Sequence, residues 1–526
     1  MNKIYTQQPA LIISMMKPGL YGNPVEECQL IETHISWVIL TGPYVYKIKK
    51  PVNLGFLDFS GLEKRHFCCD EEVRLNSRLA AEIYLEVVPI TGSAEHPCLA
   101  GEGPVIEYAV KMVQFPQQAQ LDRLLDAGEL RATHIDAIAK MVADFHRCIA
   151  VADDSLVYGS PEQVILPVVE NFTQIRGQYS GHVEGQVWSD ILEELEHWAE
   201  KNFITLRPLF EERKDGQFIR ECHGDLHLRN LAWVADAPLA FDCIEFSPGL
   251  RWIDIISEVA FLTMDLQARQ QPELAQRFLN AYLENTGDYA GTRVLTFYLL
   301  YRAMVRAKVD AIRAGQAGIC QAEKAQAEKD LLGYLRLAQS YIRPGNPKLI
   351  ITRGMSASGK TTLTQPLLEK LAAFRIRSDV ERKRLFGLTA EQDARAATGA
   401  GIYTGDATQR TYMKLLELAG YVIDAGYPVI IDATCQKYEQ RELFQRLASE
   451  KQVPYIILEF TASVEILRER IVNREKGASD ADLAVLEHQI THWQALRDEE
   501  QIHALVVDTE KAPGMEHLAE QIAHKA

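Results

Sequence analysis

A chain of 526 residues is long for one core, and about three domains is the soft expectation. With 47% hydrophobic and 24% charged residues it has an ordinary globular composition, and no apolar run approaches the roughly 20 residues of a membrane helix. A formal net charge of −16 argues against a nucleic-acid coat or an anionic membrane surface as main partner, though a local basic groove stays open.

Residues 1–32 read as an irregular or partly helical lead-in, and the apolar patch at 10–16 lacks the h-region and cleavage site of a secretion signal. Residues 34–40, the turn Thr41-Gly42-Pro43 and residues 44–49 carry a hairpin signal. The strand period of two places Lys47 and Lys49 on one face. A helix is expected over 61–79, then strands over 84–90 and 105–115. Beyond Pro116 helices dominate, among them 135–148, 188–209 and a long stretch over 296–340. Nine cysteines show no C-x-x-C pair, so they read as reduced thiols of a cytoplasmic protein.

The run His223-Gly224-Asp225-Leu226-His227-Leu228-Arg229-Asn230 stands between these helices. A strand at 231–234, a turn at 235–238 and a second strand at 239–246 carrying Asp242 follow it. Phosphoryl transfer to a hydroxyl needs a carboxylate to position and deprotonate the nucleophile, and oxygen ligands to hold Mg²⁺ against a triphosphate. Asp225 fits the first role, and Asn230 with Asp242 fits the second. His and Asp at i, i+2 and i+4 also suit a transition metal, but that reading leaves Asn230 and Asp242 without a purpose. Asp254 and Glu258 are expected on one helical face, as structural residues.

This segment resembles the aminoglycoside-phosphotransferase and choline-kinase-like branch of the protein-kinase fold, over roughly residues 30–340. The resemblance implies a two-lobed α+β domain in which Lys47 of Val45-Tyr46-Lys47-Ile48 contacts nucleotide and pairs with a helix glutamate, Glu72. Lys49 competes with Lys47 for that role, and Glu71 with Glu72. No G-x-G-x-x-G precedes Lys47.

Prolines and a glycine in Tyr341-Ile342-Arg343-Pro344-Gly345-Asn346-Pro347 break the helical pattern. They divide the chain into expected domains of residues 1–344 and 345–526. A β-prone run at 348–352 then leads into Gly354-Met355-Ser356-Ala357-Ser358-Gly359-Lys360-Thr361, which fits G-x-x-x-x-G-K-[ST], and leucines at helical spacing follow. Backbone N–H groups at such a helix N-terminus cradle phosphates, so Gly354, Ser356, Ser358, Gly359, Lys360, Thr361 and Thr362 are expected around ATP. Lys360 would reach the β- and γ-phosphates, and the Thr361 hydroxyl would ligate Mg²⁺.

In a doubly wound parallel α/β sheet, ligands gather at the carboxyl ends of strands. That places Asp379, after a strand at 373–376, as a base, with Arg382 on the same helical face as an anion grip. Asp432, ending a strand at 429–431, takes a Walker-B-like metal position, with Thr434 near enough to assist. Arg470 and Arg474 share a face of a helix expected over 467–476 and would neutralise charge as a lid, unless the interleaved glutamates make this a solvated, salt-bridged helix.

These features resemble the small P-loop kinases of the zeta-toxin, gluconate-kinase and polynucleotide-5′-kinase kind. The chain as a whole thus reads as an α/β multidomain protein, kinase-like at its N-terminal side and a P-loop NTPase at its C-terminal side. The implied activity is ATP- and Mg²⁺-dependent transfer to a hydroxyl of a small molecule, a nucleotide or a nucleic-acid 5′ end. Two alternatives stay open: a polynucleotide 5′-hydroxyl kinase whose first domain holds substrate, and a P-loop kinase regulated by a nucleotide-sensing first domain.

Overall fold

The computed structural model describes residues 8–525, except 23, 54, 56, 154, 180–184, 317, 391, 393–401, 403, 474–481, 512 and 513. The chain divides into two compact units. The first comprises Met1–Ala137, Asp144–Val164 and Glu211–Leu262; the second comprises Ile138–Ala143, Ile165–Phe210 and Thr263–Ala526. The sequence boundary near 344 therefore falls inside the second unit. No described helix is long and apolar enough to cross a membrane, and all nine cysteines are free thiols.

The first unit is built on an antiparallel sheet of order β1-β2-β3-β6-β4-β5. Its strands are β1 (Gln29–Glu32), β2 (Ser36–Leu40), β3 (Tyr44–Lys49), β4 (Tyr84–Gly92), β5 (Pro97–Leu99) and β6 (Val105–Val113). Alternation sorts each strand between two faces. Trp37, Ile39, Tyr46, Ile48 and Ala109 pack with Ile12 and Met15 of the helix Ala10–Met15 on one side. Val110 and Tyr84 meet Cys69 and Ala80 of the helix Leu62–Ala80 on the other. The lead-in is thus part of the core and contributes the edge strand β1, which its mixed sequence does not announce.

Beyond the sheet, β7 (Ile219–Glu221) pairs with β10 (Trp252–Asp254), and the hairpin of β8 (Leu231–Val234) with β9 (Ala237–Ala240) lies between them in sequence. Ala235 and Asp236 both have positive φ, 50° and 60°, as a tight two-residue hairpin turn requires. The strand expected over 239–246 ends at Ala240, because Asp242 adopts φ 66° and leaves the ladder. Asp254 ends β10 and does not share a helical face with Glu258, which sits in the helix Ile255–Ala268.

In the second unit the expected helical stretch over 296–340 is two helices, Thr292–Ala314 and Gln321–Tyr341. A parallel sheet of order β12-β13-β11-β14-β15 follows. Its strands are β11 (Leu349–Arg353), β12 (Phe374–Arg377), β13 (Val429–Asp432), β14 (Tyr455–Thr461) and β15 (Ala504–Asp508). Every residue of β11 and β13 is buried, which suits their apolar starts Leu349-Ile350-Ile351 and Val429-Ile430-Ile431, while the polar Thr352, Arg353 and Asp432 follow at the carboxyl ends. The helix Lys360–Leu371 makes the crossover from β11 to β12.

Two candidate active sites

In the first unit, Lys47 and Lys49 both reach the fully buried Glu72, at 2.7 Å and 2.6 Å. Neither lysine displaces the other. Lys47 also meets Asp242 Oδ1 at 2.5 Å, whereas Lys49 meets Glu245 and lies over the Phe59 ring. Glu71 turns away to Arg74 at 2.7 Å and Arg251 at 3.0 Å, so the helix carboxylate facing Lys47 is Glu72. Burial alone disfavours the charged form of each of these groups. For Lys47 the charges of Asp242 and Glu72 outweigh it and hold the ammonium's pKa well above the usual range. For Glu72 burial pushes upward, but Lys47 and Lys49 bring the carboxyl down to about 2. Glu245 goes the other way, pushed up by burial against the pull of Lys49.

Asp242 is held from behind. The Tyr84 hydroxyl accepts from its N–H at 3.1 Å, and Asn76 Oδ1 accepts from the N–H of Cys243 at 2.9 Å. Its side chain is 48% exposed, so one oxygen engages Lys47 while the group still faces solvent. Asn230 Nδ2 donates at 3.0 Å to both the carbonyl and Oδ2 of Asp225, closing the loop between the two residues. His227 Nε2 lies 3.4 Å from the same Oδ2. His223 is not placed to ligate a metal. Its Nδ1 accepts from the Asp225 N–H and its Nε2 faces the Phe241 carbonyl at 2.9 Å, which a neutral ring satisfies at both nitrogens. Burial correspondingly lowers its pKa.

Glu258 fixes the loop from below. Its Oε1 accepts from the Gly224 N–H at 2.7 Å, and its Oε2 meets His146 Nε2 at 2.8 Å. Gly224 needs its missing side chain here, because φ is +88° and a Cβ would lie 2.8 Å from the Leu250 carbonyl oxygen. Sequence reading missed the contacts of Glu245, Tyr84 and Asn76. Only the polarity of Glu245, three residues past Asp242, hinted at any of them.

In the second unit, the phosphate-loop motif joins β11 to the helix Lys360–Leu371, with Ala357 at φ 63° and Gly359 at φ 86°. Lys360 Nζ curls back to donate to the carbonyls of Gly354 and Met355, both at 2.8 Å. Ser358 Oγ is 3.5 Å from the same ammonium, and Gln489 accepts from the Ser356 N–H at 2.7 Å. Thr361, followed by Thr362 in the first helical turn, donates its hydroxyl to Asp432 Oδ2 at 2.7 Å. Thr434 contributes its carbonyl, which accepts from the Gly354 N–H at 3.3 Å. A Cβ on Gly354 would lie 2.5 Å from Ser358 Oγ and 2.9 Å from the Phe460 carbonyl oxygen. Gly354→Ala is expected to cost about 1–3 kcal/mol by overpacking, read as an earlier thermal melt.

Asp379 occupies the first turn of the helix Ser378–Leu385 at the carboxyl end of β12, as expected. Arg382 of that helix is engaged elsewhere, donating to the Ile402 carbonyl at 3.0 Å and Thr408 Oγ1 at 3.2 Å. Arg470, from the helix Val464–Val472, donates to Thr509 Oγ1 at 2.9 Å and reaches the loop at the Ala357 carbonyl, 3.4 Å away. Arg474 lies outside the described residues. The donor set suits a nucleotide and its metal: an ammonium turned over a glycine-lined loop, and a hydroxyl–carboxylate pair at its base.

Residues 114–295 match the Phosphotransferase enzyme family, and residues 349–496 match an AAA domain. The chain thus carries a phosphotransferase-type, kinase-like region followed by a P-loop kinase-like region. It belongs to the same family as the Uncharacterized protein Rv2004c of Mycobacterium tuberculosis and the Uncharacterized protein Mb2027c of Mycobacterium bovis. Each is 30% identical to it over 456 residues, which span 86% of this chain and 87% of theirs. Among solved structures it is similar to choline kinase from Cryptosporidium parvum, with 13% identity and a TM-score of 0.39, over 60% of this chain and 90% of that one. It is also similar to a gluconokinase from Sinorhizobium meliloti, with 19% identity and a TM-score of 0.25, over 35% of this chain and 98% of that one.

Proposed function

We propose that this protein is a phosphotransferase with two nucleotide sites, each moving a γ-phosphoryl group from ATP to a hydroxyl acceptor. The observation that carries the reading is the presence of two separate constellations in one chain. One is Lys47–Glu72–Asp242 beside Asp225–Asn230; the other is Lys360 with the Thr361–Asp432 pair. ATP supplies the transferred group, and bound Mg²⁺ offsets its charge. In the first site Lys47 orients the phosphates, Asn230 and Asp242 hold the metal, and Asp225 accepts the acceptor's proton. In the second, Lys360 neutralises phosphate charge, Thr361 and Asp432 hold the metal, Asp379 is the base, and Arg470 with Arg474 closes over the phosphates. The functional division then follows 1–344 and 345–526, with each part carrying its own chemistry.

Calorimetric titration with ATP and Mg²⁺ tests the count of sites. Two equivalents are expected for the wild type and one for Lys360→Ala. A single equivalent in the wild type, lost altogether in Lys360→Ala, defeats the two-site reading. The acceptor is a hydroxyl-bearing small molecule, a nucleotide or a nucleic-acid 5′ end. Salt-sensitive binding of a 5′-OH oligonucleotide, with γ-phosphoryl labelling of its end, would narrow it to nucleic acid. No binding at low salt removes that acceptor.

A further inference from the structure

Among the described residues β12 is an edge strand, paired with β13 alone, and the backbone groups on its outer side have no neighbouring strand. The Phe374 N–H turns inward to the Pro428 carbonyl, so the groups of Ala373 and Arg375 turn outward. The helix Pro272–Thr286 meets them with side chains. Gln276 donates to the Ala373 carbonyl at 2.8 Å, and Asn280 accepts from the Arg375 N–H at 2.7 Å. Tyr289, just beyond the helix, donates to the Arg375 carbonyl at 3.1 Å. Gln276, Asn280 and Glu284 are four residues apart and so share one helical face. This polar row stands where a sixth strand would be. It comes from the stretch matched to the Phosphotransferase enzyme family, yet it completes the sheet of the P-loop region.

Glu284 ends the row and carries it into the candidate site. Its carboxylate takes Arg377 at 2.6 Å and Arg375 at 3.4 Å, and its carbonyl accepts from Arg384. Burial works against its charge, but the two arginines keep the carboxyl below its usual range. Arg375 is itself buried, and its guanidinium continues to the Thr361 carbonyl at 2.9 Å, Thr364 Oγ1 at 3.2 Å and Gln365 Oε1 at 2.9 Å. Thr361 is the residue whose hydroxyl meets Asp432. An unbroken chain of contacts therefore runs from Glu284 through Arg375 to the main chain of Thr361.

We infer that Glu284 is a positioning residue of the P-loop site, holding Arg375 so that Thr361 presents its hydroxyl to the metal. The kinase-like helix is thereby an integral part of the second site and not a neighbour joined by a linker. The inference rests on the metal role proposed above for Thr361 and Asp432.

The test uses full-length protein and ADP with and without Mg²⁺, followed by calorimetry and thermal melting. In the wild type, a component of Mg²⁺-assisted ADP binding is lost in Lys360→Ala. Glu284→Gln, which keeps the shape of the side chain, is expected to weaken that component about tenfold, as loss of a residue supporting a metal ligand does. Gln276→Ala breaks the same edge at the Ala373 carbonyl, outside the contacts that run from Glu284 through Arg375 to Thr361. It should melt earlier while keeping the affinity within about twofold, since it removes no link of that run. Should Glu284→Gln fail to fold, Arg375→Lys reports on the same link, because an ammonium keeps the charge but not the fork that spans Glu284 and Thr361. Wild-type affinity in Glu284→Gln, or equal weakening in Glu284→Gln and Gln276→Ala, overturns the positioning role and leaves the P-loop reading standing. Absence of any Lys360-dependent component in the wild type removes both.

Discussion

Asp225→Asn is expected to abolish one phosphorylated product and spare another, and Lys360→Ala to do the reverse. Asparagine is isosteric with aspartate, and its side-chain oxygen can still accept from Asn230, which also donates to the backbone carbonyl of residue 225. The loop therefore keeps its shape while the group that takes up the proton is gone. Removing a general base of this kind costs about 10²–10⁴-fold in rate. Lys360→Ala removes the ammonium that bridges the carbonyls of Gly354 and Met355. Loss of one preorganised charge beside a transferring phosphoryl group costs about 10²–10³-fold. The measurement is γ-labelled ATP incubated with a metabolite and RNA extract, with the labelled products of wild type and the two variants separated side by side. Loss of the same single product in both variants would instead mean that one site regulates the other. Labelling unchanged in both would leave neither site catalytic.

What the sequence disclosed was what lies close along it. The run from His223 to Asn230 and the run from Gly354 to Thr361 each place their chemistry within eight residues, and both close into compact loops. The chain favoured Lys47 over Lys49 by its fit to the strand motif, but it could not show that both share one carboxylate, which lies on a helix 25 and 23 residues away. In the fold it serves both. The strand drawn through Asp242 failed for a tertiary reason. Leu239-Ala240-Phe241 looks like the start of a longer run, but Lys47 and the Tyr84 hydroxyl hold Asp242 in a left-handed conformation that ends the ladder. The proline-rich break near 344 is real local chemistry, yet it says nothing of Gln276, Asn280 and Glu284. Their partners lie 91 to 100 residues further on, across that break. Arg382 shares its helix with Asp379, as helical spacing predicts, but spacing does not tell that the Ile402 carbonyl and Thr408 take its guanidinium.

Glu72→Gln is expected to destabilise the first unit strongly. Glu72 is fully buried, and its two oxygens divide between Lys47 and Lys49, themselves 12% and 1% exposed. The amide keeps the volume but removes the charge, leaving Lys47 with only Asp242 and Lys49 with only Glu245. Breaking a buried ion pair from one side costs about 3–5 kcal/mol. The pH dependence identifies the source. The carboxyl of Glu72 stands at about 2 in the fold, against an ordinary 4.5, so its ionisation stabilises the protein fully above pH 4.5. That contribution is lost as pH falls from 4.5 toward 2. Glu245, whose carboxyl is raised by burial and by the neighbouring charge of Glu72, acts with the opposite sign; the substitution relieves part of that rise, which narrows the gap at neutral pH without reversing its direction. The melting temperatures of wild type and Glu72→Gln should therefore lie far apart at neutral pH and converge on acidification through that window. A gap that stays constant down to pH 3 would place the loss in packing and not in the carboxylate's charge. The same variant should also lower the Asp225-dependent product, because Lys47 keeps its height on β3 but loses the partner that aims it.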